Sequence, residues 1–412
     1  MNVALNSRSV KTVLMVVAVA ALVATTASLF STRGTGDMKI WERWTNNAMR
    51  LGVVAGFREN DNDYPPLSNV VLWATGHAGR AAGLPVATAT KLSLVVFLAV
   101  TLIVWFAWVH SAPLTLALWS ACVLNAVGMG YLDIYAMPPL ILSLWALQRN
   151  KATASVTWFS VACLVKWQPL VIAPFLLLHV GREWWPPSST HAKKWLALLL
   201  PSLAILVVAV AVFEPFPFFR AFAKSLGHRV LSGDTLNLPW IATWLYQGFS
   251  QGLGGFTGQV AGIASAPLWL RLPFKFLFAW QFLALLYRYV TGPVRIERTL
   301  AYSLVGFLAY VVLSSGVHEN HWFVPSVLAI VLIQFDRRWL APALALGVVA
   351  NLNLLLFYGF DGHGLPFSRV VGIDVSVLLA TAVVGMFFWI AAVIRRRDMT
   401  DGRWSSSGAT TS

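Results

Sequence analysis

The chain has 412 residues, 58% of them apolar and only 11% charged, where ordinary soluble domains carry roughly 25% charged residues. With a mean hydropathy of +0.69 and apolar stretches along its whole length, it is neither a soluble globule nor a soluble domain with one anchor. The net charge of +14 does not point to nucleic acid, because the Lys and Arg fall mainly in short breaks between apolar stretches, the pattern of cytoplasmic loops.

Taken in chain order, the stretch 13–30 follows Arg8 and Lys11 and reads as a retained first span, being long for a signal-peptide core and lacking a cleavage site. A span needs about 20 apolar residues, or fewer where neighbours shield it. Further spans are expected at 89–109, 113–131, 134–148, 195–213, 271–290, 299–314, 322–335, 339–358 and 375–394. Basic breaks at Arg149/Lys151, Lys193/Lys194, Arg295/Arg298, Arg337/Arg338 and Arg395 to Arg397 should be cytoplasmic. The apolar stretch between Lys151 and Arg182 has basic residues on both flanks, so a single crossing would misplace one of them. Pro169 in Lys166-Trp-Gln-Pro splits it into helices 154–165 and 168–179. The expectation is an all-α polytopic membrane protein of about twelve membrane helices in one domain, 1–398, with 399–412 a disordered cytoplasmic tail.

This topology puts 31–87 outside as a long first loop and 214–270 as a second outer region. In the first, Trp41, Trp44, Ala48, Leu51 and Ala55 recur at spacings of three and four, opposite Lys39, Glu42, Arg43 and Arg50. That pattern predicts an amphipathic helix lying along the membrane surface. The stretch 240–270 is rich in Gly and aromatics without a clean period and reads as partly re-entrant or interfacial. Cys122 and Cys163 sit in apolar runs and build no disulfide framework.

Polar residues gather toward the outer face. Asp37 follows Gly34 and Gly36 at the membrane surface and suits a base reaching a headgroup, or a plain helix N-cap. Asp61 and Asp63 precede Tyr64 and a proline pair, and suit a solvated turn, a divalent ion or an acceptor. Lys166, in mid-apolar stretch, either marks a site for a phosphate or snorkels to water. His318, Glu319, Asn320 and His321 lie between two spans; their spacing is not the HExxH of a zinc helix, which disfavours a metal site without closing it, and imidazole and amide donors there suit phosphate or sugar hydroxyls, or plain interfacial polars. The loop with Arg229, Asp234 and Trp240 mixes polar and aromatic groups, which suits carbohydrate, headgroup or an interfacial belt; Asp133 lies in another outer loop. No Gly-rich phosphate loop is present, which disfavours a nucleotide-sugar donor.

Five segments in order, GDMKIWERW (36–44), DYPPL (63–67), VKWQPLVIAP (165–174), LGHRVLSGDTLNLPW (226–240) and HENHWFVP (318–325), resemble motifs of the GT-C glycosyltransferases. The pattern is most similar to the dolichyl-phosphate-glucose-dependent glucosyltransferases of asparagine-linked glycosylation, and bacterial relatives use polyprenyl-phosphate-mannose. Two departures stand out: Asn320 replaces the lysine of the histidine-glutamate-lysine motif, and Leu238-Pro239 interrupts the asparagine-aromatic-tryptophan spacing. The resemblance implies a GT-C bundle with interfacial helices in its first outer loop. It implies Asp37 as general base, Lys166, Arg229 and His318 as donor-phosphate ligands, and Asp61, Asp63, Tyr64, Asp133, Asp234, Trp240, Glu319 and His321 as substrate-binding residues.

The expected function is transfer of a hexose, mannose or glucose, from a polyprenyl-phosphate-sugar to a lipid-linked or envelope glycan, without a cofactor. The expected setting is a bacterial inner or cell membrane, with the active site facing the periplasm or exterior. The alternatives are a transferase acting on lipid A or protein hydroxyls, and a lipid or glycolipid transporter. A transporter predicts internal repeats, and none is visible.

Overall fold

The computed structural model describes residues 7–60, 62–182, 189–250, 262–360, 364, 369–370 and 373–400. Within them, α1 (Ser7–Phe30) leads through a tight turn to α2 (Asp37–Leu51), α3 (Val53–Glu59) and α4 (Pro66–Ala81), which precede α5 (Val86–Val109). α6 (Ala112–Val123) ends in a π-turn at Leu124–Gly128, and a 3₁₀ turn at Leu132–Ala136 opens α7 (Met137–Gln148). α8 (Ala152–Val165) and α9 (Ala173–Gly181) follow, then α10 (Ser189–Val212), α11 (Pro215–Leu226) and α12 (Leu238–Ser250). The last five are α13 (Leu268–Thr291), α14 (Ile296–Leu313), α15 (Phe323–Ile333), α16 (Leu340–Tyr358) and α17 (Val375–Thr400). The fold is all-α, and the strands among the described residues are two short pairs.

Six of these helices, α5, α10, α13, α14, α16 and α17, are long and apolar enough to cross a membrane. The chain is a membrane-spanning protein. The remaining expected spans also coincide with helices, α1 over 13–30 and shorter ones elsewhere, and the chain breaks at Lys166, whose backbone is extended (φ −147°, ψ 133°). Pro169 then sits in a 3₁₀ turn, Gln168–Ile172, that carries the chain into α9.

α14 is apolar all round and enclosed by its neighbours: Leu304, Phe307, Leu308 and Val311 are fully buried, as a helix without a polar face requires. α10 and α13 instead turn Leu200, Val207, Phe276 and Trp280 outward. Inside a bilayer such faces meet lipid, and helix association rests on close van der Waals packing rather than on water exclusion.

The amphipathic helix expected in 31–87 is present as α2, and its apolar stripe, with Met38, Trp41, Trp44 and Ala48, is buried within the protein. Gly52, at φ +86°, ends it, so Ala55 belongs to α3. The stripe's period fixes a buried face without saying whether protein or lipid covers it. Segment 214–270 holds two helices, α11 and α12, of which α12 opens the stretch expected to be partly re-entrant or interfacial, whose residues 251–261 lie outside the described ones; Phe216 and Phe219 on α11 are exposed beside Pro217 and Phe218, which are buried. Of the expected tail, 399–400 continue α17, and 401–412 lie outside the described residues.

A parallel pair, β1 (Ser232–Gly233) with β2 (Val317–His318), ties the second outer region to the histidine segment. Gly233 is required there, since a Cβ at that position would fall 2.4 Å from His318 Nδ1.

Candidate functional site

The turn between α1 and α2 is held from two sides. Lys91, buried on α5, donates its ammonium to the carbonyls of Leu29, Phe30 and Thr32 and to Thr32 Oγ1, bracing the end of α1 and the start of the turn. On the other side Thr35 N–H donates to Met129 O at 3.0 Å and Trp41 Nε1 to Gly130 O at 2.9 Å. Gly34 (φ +73°) and Gly130 (φ +81°) supply the left-handed backbone this close approach needs. Asp37 is therefore delivered as the first residue of α2, and the N-cap is Gly36, without a side-chain cap bond. The N-cap alternative for Asp37 does not hold.

Trp41 and Trp44 stack edge-on against each other and against Tyr64, with centroids 5.0 to 5.8 Å apart. Trp167 Nε1 donates to Asp63 O at 3.1 Å, clipping the 63–67 segment to the 165–174 segment. Lys166 lies 3.8 Å over the Tyr64 ring, donates to its hydroxyl, and pairs with Asp133 at 3.0 Å. Across the space, His228 Nε2 is 3.5 Å from Asp63 Oδ2, and the His228 and His318 rings lie 4.6 Å apart. His318 N–H donates to His321 Nδ1 at 3.0 Å, and the buried Glu319 accepts the Tyr131 hydroxyl.

These groups surround one cavity of about 700 Å³. Its lining includes the ionisable and polar residues Asp37, Asp63, Tyr64, Lys166, His228, His318, Glu319 and His321 together with the apolar Leu170, Val171, Phe222, Leu226 and Ile263. The site thus joins ionisable groups to apolar ones, the combination an amphiphilic ligand requires. Burial pushes the Asp37 carboxyl up to about 6, helped by Asp63 and Asp133 and opposed by Lys166. Burial holds His318 down at about 4, assisted by His228, so its imidazole is neutral at pH 7. His228 is lowered for the same reason, with Asp63 opposing.

Not every residue named from sequence lines this cavity. Arg229 is exposed, and among the described residues it offers its backbone carbonyl, to Ala266 N–H at 2.9 Å; its neighbour His228 lines the cavity instead. Asp133 stands behind Lys166 rather than on the wall. Asp234, at φ +50°, accepts the Tyr358 hydroxyl at 3.1 Å and supports that wall residue from behind. Trp240 is fully buried, donating to Ser376 Oγ at 2.8 Å and packing on Phe357. Asp61 lies outside the described residues.

The sequence reading gives no role to Gln168, Tyr310, Tyr358 or Lys91, and counts His228 only among the polar groups of its loop, assigning the phosphate to its charged neighbour Arg229. Lys91 carried a signal: like Lys166, it is a lysine in an apolar run. Among the described residues, no group of three or more His, Cys, Asp or Glu is arranged to hold a metal ion. No protein-family model matches the chain, and no curated protein compared with it does either.

Proposed function

We propose that this chain is an inverting hexosyltransferase of GT-C architecture, with about twelve membrane helices, that takes its sugar from a polyprenyl-phosphate. The observation that carries the reading is convergence: five segments scattered from residue 36 to residue 325 each contribute to one cavity lined by both ionisable and apolar residues. A polyprenyl-phosphate-sugar has both characters, an anionic head bearing a sugar and a long apolar tail.

In this reading Asp37 accepts the proton of an acceptor hydroxyl, whose oxygen attacks the anomeric carbon. The new carbon–oxygen bond forms as the bond to the phosphate oxygen breaks, and polyprenyl phosphate leaves. A base must come within hydrogen-bond reach of that proton, and Asp37 has no hydrogen bond to its carboxylate among the described residues that would hold it back. Lys166, His228 and His318 receive the leaving phosphate in a site shielded from bulk water, where such contacts are strong. His228 takes the place the resemblance gives to Arg229. The cavity faces the periplasm or exterior, opposite the short basic breaks that favour the cytoplasm.

The test is to incubate the purified chain with radiolabelled polyprenyl-phosphate mannose or glucose and lipid-linked, lipid A or protein acceptors. Transfer by wild type and its loss in Asp37→Asn is the expected result. Full transfer by Asp37→Asn would overturn the mechanism, and lipid scrambling with no sugar transfer would favour a transporter.

A further inference from the structure

A second concavity lies away from the active-site cavity, between α6, α15 and α16, with a volume of about 420 Å³. Its floor and walls include Ala121, Ile330, Ala343, Leu344, Gly347 and Val348. The polar residues in it are Ser120 and Asn351, and Asn351 Nδ2 is already committed to Gly347 O at 2.9 Å and Ser120 O at 3.3 Å. The groove therefore suits an apolar occupant. It is open at its middle, since a Cβ at Gly347 would meet nothing within 4 Å, and its rim residues Leu340, Leu344 and Val348 are 50%, 62% and 63% exposed.

The groove follows one face of α16 from Leu340 to Leu355, which at about 1.5 Å per residue is about 22 Å. That exceeds one leaflet's share of a hydrocarbon core about 30 Å thick. At its Leu340 end the chain enters α16 through a 3₁₀ turn, Arg337–Trp339. Residues three apart in such a turn eclipse, so Arg337 stands over Leu340 and extends the groove-lining row. Its side chain is exposed and forms no hydrogen bond or ion pair with a described residue, whereas Arg338 has Asp336 at 3.7 Å. Tyr358, at the other end of α16, lines the active-site cavity, about 27 Å away along the helix. Arg337 thus sits at the membrane boundary opposite that cavity.

We propose that this groove is a binding site for one anionic phospholipid of the leaflet opposite the cavity, its acyl chain along α16 and its phosphate on Arg337. Charge complementarity selects the occupant. A guanidinium without a partner among the described residues, at the mouth of an apolar groove, is matched by a phosphodiester on an acyl chain, and one cation near a membrane surface is worth about fivefold in anion preference.

The experiment is native mass spectrometry of the full chain released from nanodiscs of phosphatidylglycerol or phosphatidylcholine. Wild type is expected to retain one phosphatidylglycerol about fivefold more than phosphatidylcholine. Arg337→Gln, on an exposed side chain, should abolish that preference while keeping the fold. Gly347→Leu should fill the groove and expel either lipid with helical circular dichroism unchanged. Equal retention of the two lipids by wild type, or full phosphatidylglycerol retention by Gly347→Leu, would overturn the proposal. So would a wild-type dimer that Gly347→Leu converts to monomer, because the groove would then belong to a second copy.

Discussion

Lys166 Nζ stands 3.0 Å from Asp133 Oδ1, and neither Asp133 oxygen accepts a hydrogen bond elsewhere among the described residues. The lysine at the cavity wall is thus held by a carboxylate sunk behind it, and Tyr64 accepts its second contact. The pair is a support as well as a charge: it fixes where a cation meets the ligand.

Removing one partner of a buried pair leaves the other uncompensated and costs about 3 to 5 kcal/mol. Lys166→Met and Asp133→Asn should each lower the thermal midpoint in detergent. The double variant Lys166→Met/Asp133→Leu should recover most of that stability and still transfer no sugar. A double variant that regained transfer would reduce the lysine to a structural role.

Asp37→Asn should slow transfer by about 10² to 10⁴, the usual range for a lost general base, with little change in donor KM. The carboxyl must be ionised to act, and burial places it at about 6. Wild-type kcat/KM should therefore be low at pH 5, rise through about 6 and level off above 7. A profile flat across that range would exclude Asp37 as the titrating base.

Lys91 makes a third case. It touches no cavity atom, yet its ammonium gathers the carbonyls that end α1 just before the turn to Asp37. Lys91→Met removes a donor from the Phe30 and Thr32 carbonyls, at about 1 to 3 kcal/mol for an acceptor left unpaired, and frees the turn, while Leu29 O keeps the Thr32 N–H and hydroxyl. Steady-state kinetics should show kcat falling several-fold with donor KM nearly unchanged, and Lys91→Arg should restore part of it. A change in KM alone would place Lys91 in binding instead.

The apolar runs and basic breaks made most of the fold legible, because bilayer thickness and the location of positive charge act on local sequence. The split at Lys166-Trp-Gln-Pro was legible for the same reason: proline removes a donor wherever it lies. What covers a face is a tertiary fact. The Trp41/Trp44 stripe has one period whether lipid or α4 and α5 lie against it, so its burial in the core had no local signature. The choice between His228 and Arg229 was likewise hidden, since adjacent residues on a bent loop point apart and only the backbone path past Gly233 decides which faces inward.

Two cavity groups should mark the stability profile with opposite signs. Asp37 has its carboxyl raised by burial to about 6 from 3.8, so the native state holds that proton more tightly than the unfolded chain. Its contribution to stability is complete below 3.8 and is lost as pH rises through about 6. His318 is lowered from 6.5 to about 4, so its contribution is complete above 6.5 and is lost as pH falls through about 4. Asp37→Asn, which cannot ionise, should therefore melt higher than wild type above pH 6 and match it near pH 4. Activity and stability then oppose each other at one carboxyl, the trade expected where a charge is buried for chemistry. His318→Gln should lessen the acid-side decline, to which the lowered His228 and His321 also contribute, and leave the alkaline one intact. Thermal midpoints of wild type and both variants measured from pH 4 to 8 test this, and an Asp37→Asn midpoint that stayed below wild type at pH 8 would show that the carboxylate stabilises the native fold.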